Sequence, residues 1–197
     1  MTNPIALFQK NWQQAKSLDD ANAPYCTLAT VSAVGQVSVR TLVLREVTAT
    51  SFLIFINDSS PKWQDIQHSN NVELHVFWPS LLQQYRIRGE CHSVPVELIQ
   101  QHWARKPYDA KILDHYYQDV QPQSSGLDSR EALLKGINEI KRRYPNDADI
   151  PYPANARGVE ITANYIEVWH SSTSERLHHR SLYQLKEANW DQQILVP

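Results

Sequence analysis

Cysteine and glycine are scarce in this chain of 197 residues, which has two of the first and five of the second. Cys26 and Cys91 form no Cys-x-x-Cys pair and indicate no disulfide framework, so we expect a reducing compartment. The glycines form neither Gly-x-Gly-x-x-Gly nor the P-loop pattern, which excludes the familiar glycine-rich nucleotide loops. His-Glu-x-x-His, zinc-type spacings and Gly-x-Ser-x-Gly are also missing, so we predict no metal site and no hydrolase nucleophile elbow.

Long apolar runs and a strong net charge are missing as well. No run approaches the roughly 20 residues that span a bilayer, and the N-terminus lacks the basic-then-apolar order of a signal peptide. A formal charge of −2 gives no general attraction to nucleic acid or membrane. We therefore expect a soluble, cytoplasmic protein without nucleic-acid or membrane partners, in which any anion site is local. The length suits one domain, residues 1–197.

Short strands with intervening helices make up the predicted fold. Apolar spacing predicts a helix over 4–19, and further helices are predicted after Ser60 and over 95–107 and 128–144. Strands are predicted over 25–32, 36–47, 51–57, 72–78, 84–94, 159–170, 176–185 and 193–196. Without strict β-α-β alternation, this order favours a mainly β, α+β fold, namely an antiparallel barrel with peripheral helices. A doubly wound sheet is the alternative.

Two basic side chains occupy unusual positions in these elements. Arg40 interrupts an apolar strand on the face of Leu42 and Leu44, so it should meet either a carboxylate in a buried salt bridge or a phosphate. Lys62 lies in the first turn of a helix, where a cation opposes the helix dipole unless an anion binds. A solvated lysine is the simpler interpretation of Lys62.

A third basic segment, SERLHHRSLY, occupies residues 174–183. In a strand, Arg176, His178 and Arg180 project from one face while His179 points away. The row of cations indicates either a charged edge strand that discourages aggregation or an anion site. The segment alone leaves both interpretations open.

Five motifs follow one another over residues 22–197: VRTLVLREV, FINDSSPKWQDIQHSNNVELHVFWPSLLQQYRIRGE, QSSGLDSREAL, IEVWH and RLHHRSLY with a closing ILVP. In their order and near-spacing they resemble the pyridoxamine 5′-phosphate oxidase family. The resemblance implies a split β-barrel that binds FMN non-covalently at a homodimer interface, with 159–197 as characteristic C-terminal strands. It also implies oxidation of pyridoxamine or pyridoxine 5′-phosphate in vitamin B6 metabolism, with hydride transfer from C4′ to flavin N5 and reoxidation by oxygen.

The same resemblance implies a role for each matching residue. The FMN-binding positions are Arg40, Phe55, Ile56, Lys62, Gln84, Gln123, Ser124, Trp169 and Arg180. Of these, Arg40 and Lys62 would hold the phosphate, whereas Gln123 and Ser124 would reach the cofactor from the other subunit. Arg176 and His178 would be the catalytic pair over the substrate ring.

The substrate positions depart from the family pattern. Where the family binds the substrate phosphate with lysine, tyrosine, arginine and serine, this chain has Arg45, His102, Lys106 and Ala110. Pro61 also replaces the arginine that usually precedes the phosphate lysine. We therefore expect an FMN-dependent oxidase of pyridoxamine phosphate or a related compound. The alternatives are an FMN-binding split barrel with another substrate or without this activity, and a heme-binding split barrel.

Overall fold

A computed structural model describes residues 3–172 and 177–197. The helices are α1 (Pro4–Ser17), α2 (Pro61–His68), α3 (Val96–Ala104), α4 (Tyr108–Asp119) and α5 (Arg130–Arg143). The strands are β1 (Tyr25–Val31), β2 (Val37–Val47), β3 (Ser51–Asn57), β4 (Asn71–Trp78), β5 (Gln83–Ser93), β6 (Ala156–His170), β7 (His179–Lys186) and β8 (Asn189–Leu195). A short 3-10 turn spans Asp147–Asp149.

The strands form one sheet in the order β3-β2-β1-β4-β5-β6-β7-β8, and β3 also pairs with β6. The first six strands in this order therefore close into an antiparallel barrel, and β7 and β8 continue the sheet beyond it. This arrangement confirms the predicted mainly β, α+β barrel with peripheral helices. The doubly wound alternative is wrong.

The chain divides into two compact units. Unit 1 comprises Met1–Ile54, Asp65–His92 and Glu160–Pro197, and unit 2 comprises Phe55–Gln64 and Ser93–Val159. Unit 1 contains α1 and most of the strand residues, whereas unit 2 contains α3, α4 and α5. That the whole chain is a single domain stays a prediction.

Aromatic side chains form the centre of unit 1. The ring of Phe8, on the apolar face of α1, lies 5.0 Å from Phe52, 5.0 Å from Trp78 and 4.9 Å from Tyr85, measured between ring centroids. All of these side chains are completely buried. Asn3 begins the helix, because its Oδ1 accepts a hydrogen bond from the backbone N–H of Ile5 at 2.9 Å. The predicted amphipathic helix is thereby anchored on the barrel core.

Unit 2 has its own core between α3, α4 and α5. It consists of Trp103, Ile112, Tyr116, Ile140 and Ile150. A Cβ on Gly136 of α5 would overlap the ring of Tyr116, so this glycine allows α4 and α5 to pack closely. The three helices thus form a small bundle, in which α4 supplies residues from its buried face.

Both cysteines are buried in strands of unit 1. Cys26 lies in β1 and Cys91 in β5, and burial raises the pKa of each thiol to about 12. In the described part of the chain, no three His, Cys, Asp or Glu side chains are grouped so that they could hold a metal ion. The described helices also include none that is long and apolar enough to cross a membrane.

Candidate functional site

Arg40 lies on the interior face of β2, as its alternation with Leu42 and Leu44 predicts. Its Nη1 donates to Thr30 Oγ1 at 2.7 Å and to the carbonyl of Leu28 at 3.3 Å. Thr30 Oγ1 donates to Asp65 Oδ2 at 2.6 Å, and this carboxylate lies 3.8 Å from Arg40 Nη2. Burial lowers the pKa of Arg40, and the charge of Asp65 opposes that shift. A half-buried salt bridge therefore holds the guanidinium in one orientation.

Lys62 meets a second predicted cofactor residue in unit 2. Only 7% of Lys62 is exposed, and its Nζ donates to Gln123 Oε1 at 2.9 Å, across 61 residues of sequence. The backbone N–H of Gln123 donates to Ser59 Oγ at 3.0 Å, just before α2. Ser124 follows with a positive φ of 68°. The solvated-lysine interpretation is wrong, whereas the reach of Gln123 and Ser124 into another subunit stays a prediction.

Three further predicted residues come together at the β6–β7 pair in unit 1. Trp169 lies directly opposite Arg180 in the register, and the His178 ring lies 4.8 Å from the Trp169 ring at 47°. His178 and Arg180 are half-buried, whereas His179 is exposed opposite His170. Exposure alternates over residues 177–180 as predicted, but β7 begins at His179, so the predicted strand start at 176 is wrong for residues 177 and 178. Arg176 lies outside the described residues.

Glu167 holds the Arg180 side chain and was not predicted from the sequence. This carboxylate is 3% exposed; its Oε1 accepts from Arg180 Nε at 3.0 Å and from Nη2 at 2.8 Å. Its Oε2 accepts from Arg86 Nη1 at 3.3 Å, and Arg180 Nη1 donates to the carbonyl of Val196 at 3.0 Å. The available signal was an acidic residue inside the apolar motif IEVWH, which requires a cation once buried.

A second acidic residue completes the charge pattern of this part of the sheet. Glu73 accepts from Arg86 Nε at 2.6 Å and from Arg88 Nε at 2.9 Å. Burial acts to raise the pKa of Glu73, but the bonds from the two arginines outweigh it and the pKa is lowered. Arg86, Arg88 and Arg180 against Glu73 and Glu167 leave this network with one positive charge, an environment that favours a ligand bearing negative charge.

Two other predicted residues of unit 1 lie on strands. Gln84 in β5 is opposite Phe77, and its Oε1 lies 3.1 Å from His75 Nε2. Arg45 is half-buried at the irregularity where the β2–β3 register shifts between Leu44 and Glu46. A bulge of this kind turns a side chain out of the regular alternation.

The remaining predicted residues belong to unit 2. Ile56 is buried, and the Phe55 ring meets the His102 ring edge-on, with centroids 4.9 Å apart and planes at 75°. Lys106 Nζ bonds to Asp114 Oδ2 of α4, and the two side chains are only 20% and 16% exposed. Ala110 lies one turn before Asp114 on the same helix. The lysine that the resemblance predicts to bind the substrate phosphate is therefore already paired with a carboxylate.

Comparison with known proteins gives one consistent match. The family model for pyridoxamine 5′-phosphate oxidase matches residues 16–144. A pyridoxine/pyridoxamine 5′-phosphate oxidase of Rhodopirellula baltica is 32% identical over 205 residues, covering 100% of this chain and 88% of that protein. A pyridoxine/pyridoxamine 5′-phosphate oxidase 2 of Hydrogenovibrio crunogenus is 31% identical over 195 residues, covering 99% and 89%.

Solved structures share the fold at lower identity. PhzG from Burkholderia lata 383, in complex with tetrahydrophenazine-1-carboxylic acid, has a TM-score of 0.89 and 21% identity, with 100% of this chain and 94% of that chain covered. A pyridoxamine 5′-phosphate oxidase-related, FMN-binding protein from Nostoc punctiforme PCC 73102 has a TM-score of 0.74 and 18% identity, covering 98% and 96%. These likenesses support the split-barrel architecture described above.

Proposed function

Because this chain belongs to the pyridoxamine 5′-phosphate oxidase family, we propose that it is an FMN-dependent oxidase of pyridoxamine or pyridoxine 5′-phosphate or of a related ring compound. The observation that carries the proposal is the group at the β6–β7 pair. There an aromatic ring, a histidine and an arginine held by a buried carboxylate lie side by side, namely Trp169, His178 and Arg180. A flat ligand that gains negative charge on reduction suits such a surface.

The residues present fit FMN in their chemistry. Arg40 and Lys62 would hold the phosphate, since Arg40 is oriented by Thr30 and Asp65 and Lys62 is buried beside Gln123. The positively charged network around Arg180, together with Gln84 and Trp169, would lie at the ring, where a cation stabilises the reduced form. Bound FMN would supply the redox chemistry, accepting hydride from the substrate and passing electrons to oxygen.

His178 would orient the substrate, and a hydrogen bond to its ring favours one tautomer. Its Nδ1 accepts a hydrogen bond from the backbone N–H of Ser172 at 3.3 Å. The neutral imidazole therefore carries its proton on Nε2, which would donate a hydrogen bond to the substrate ring. Arg176 would be its catalytic partner, and we propose that role from the family resemblance. The proposed location is the cytoplasm and the proposed pathway vitamin B6 metabolism.

We expect a homodimer, which motivates a test on the sheet surface. Valines on β1, β2 and the turn between them are exposed, among them Val37 at 65% and Val39 at 66%, and a stable protein would cover such a patch. The wild type should therefore have twice the mass of one chain in light scattering, and Val39→Glu should weaken the dimer. A monomeric wild type with FMN bound would contradict this expectation.

The function is tested by the visible spectrum of the purified protein. We expect oxidised-flavin absorbance that a ring substrate of this kind bleaches without oxygen, and that returns with peroxide when air is admitted; pyridoxamine 5′-phosphate is the first compound to add. A protein that binds no flavin would overturn the proposal, and a Soret band would favour the heme-binding alternative. Flavin that is present but not bleached would favour a different substrate.

A different ring substrate is the second candidate, and the Lys106–Asp114 pair favours it. PhzG, which shares this fold, was solved with tetrahydrophenazine-1-carboxylic acid, whose name carries a carboxylic acid and no phosphate. Such a ring acid is therefore a second compound to use in the bleaching experiment.

A further inference from the structure

One of the residues that depart from the family pattern at the substrate positions, Lys106, is paired with a carboxylate of unit 2. Of the four positions that match substrate-phosphate ligands, His102, Lys106 and Ala110 belong to unit 2, and the fourth, Arg45, belongs to unit 1. Ala110 offers no side-chain donor, and the His102 ring packs edge-on against Phe55. Lys106 carries the permanent positive charge of these three, and its ammonium is bonded to Asp114.

Asp114 is also largely buried, so separating it from Lys106 costs free energy. Its side chain is 16% exposed and that of Lys106 is 20% exposed. Removing one partner of such a pair leaves the other charge uncompensated in a poorly solvated place. The negative charge of Asp114 also acts on Tyr117 and Tyr152. The pKa of each tyrosine is raised mainly by burial, and the charge of Asp114 raises it further.

Two other cations of unit 2 are also paired with carboxylates. Lys111 of α4 lies 2.9 Å from Asp147, and Arg157 lies 2.5 Å from Asp58. The Lys106–Asp114 pair therefore contributes no net charge. A phosphate dianion at Lys106 would have to compete with a carboxylate already bound there, and it would feel the repulsion of that carboxylate.

We infer that Asp114 makes this chain discriminate against phosphorylated substrates, and that its own substrate is a flat ring compound without a phosphate group. The inference rests on the proposed function, because it assumes that the family's substrate lies at Lys106. It narrows that function because, of the three matching positions in unit 2, the one with a permanent positive charge is neutralised by Asp114.

Exchange of the carboxylate for an amide tests the inference directly. On FMN-loaded protein, Asp114→Asn should bind pyridoxal 5′-phosphate about tenfold more tightly than the wild type, since a charge-assisted bond from Lys106 becomes available. The affinity for pyridoxal should not change. Adding Lys106→Met to Asp114→Asn should abolish the gain. Asp109→Asn is the matched control, because Asp109 is on the same helix but pairs with the exposed Lys141 at 2.7 Å.

Equal affinity of wild type and Asp114→Asn for pyridoxal 5′-phosphate would overturn the inference. If Asp114→Asn does not fold, the double variant Lys106→Met/Asp114→Leu takes its place, because replacing a buried pair by apolar residues is often tolerated. This variant should bind pyridoxal 5′-phosphate no more weakly than the wild type, and a tenfold loss would refute the role of Asp114.

A second readout separates this inference from the proposed function. Inorganic phosphate should raise the thermal midpoint of flavin-free Asp114→Asn more than that of the wild type, and equal shifts would again count against Asp114. Failure to bind FMN would overturn the proposed function alone, since the phosphate comparison needs no flavin.

Discussion

Arg40→Ala is expected to weaken FMN binding by about tenfold to a hundredfold, and by more than Lys62→Ala does. The guanidinium is oriented by Thr30 and Asp65, so its remaining donors are directed before a ligand arrives. Lys62 offers a single ammonium that it shares with Gln123. Fluorescence titration of flavin-free protein with FMN measures both dissociation constants.

Two controls separate loss of the cofactor contact from loss of local structure. Asp65→Asn keeps Arg40 but removes its charge partner, so it should change FMN affinity less than Arg40→Ala. Arg143→Ala removes an arginine of α5 that is 53% exposed and paired with Asp119, outside the proposed cofactor site, and it should leave FMN affinity unchanged. The same affinity in wild type and Arg40→Ala would reject Arg40 as a phosphate ligand.

His178→Ala should lower substrate turnover by about a hundredfold while leaving FMN affinity nearly unchanged. The imidazole packs against the Trp169 ring at 47°, and its Nδ1 accepts a bond from the backbone N–H of Ser172, so alanine removes an oriented donor. Stopped-flow reduction of bound flavin by substrate measures this step apart from reoxidation.

The adjacent histidine supplies the matched control. His179→Ala should be nearly silent, because the side chain is exposed on the opposite face of β7. From the family resemblance, Arg176→Ala should be the most damaging change of the three. If His179→Ala lowers turnover as much as His178→Ala does, the face assigned to His178 is wrong. If none of the three changes lowers turnover, the segment is a charged edge strand without a role in catalysis.

Alternation and helical spacing predicted much of the fold and several site positions. Arg40 was placed on the inner face of its strand, and α1 was placed by the spacing of its buried residues. These predictions succeed because strand and helix periods are local properties of the backbone. The pairing of Lys62 with Gln123 was beyond such reasoning, because it joins residues 61 apart through tertiary packing.

One helix was missed and one strand was predicted too short. Helix α4 was not predicted over 108–117, although Ile112 and Tyr116 are spaced as a buried helix face. Without this helix, the sequence could not relate Asp114 to Lys106. Strand β8 begins at Asn189 rather than 193 because Glu187 and Ala188 form a tight turn at φ 47° and 67°, where glycine or asparagine is the usual signal.

The two buried thiols can be used to measure how often the strands that bury them open. Alkylating reagents attack the thiolate, and with a pKa near 12 neither Cys26 nor Cys91 offers much of it while the strands are closed. Modification rates at mildly alkaline pH will therefore follow the transient exposure of β1 and β5. Unit 2 contains no cysteine, so a ligand or a variant that changes these rates acts on the stability of unit 1.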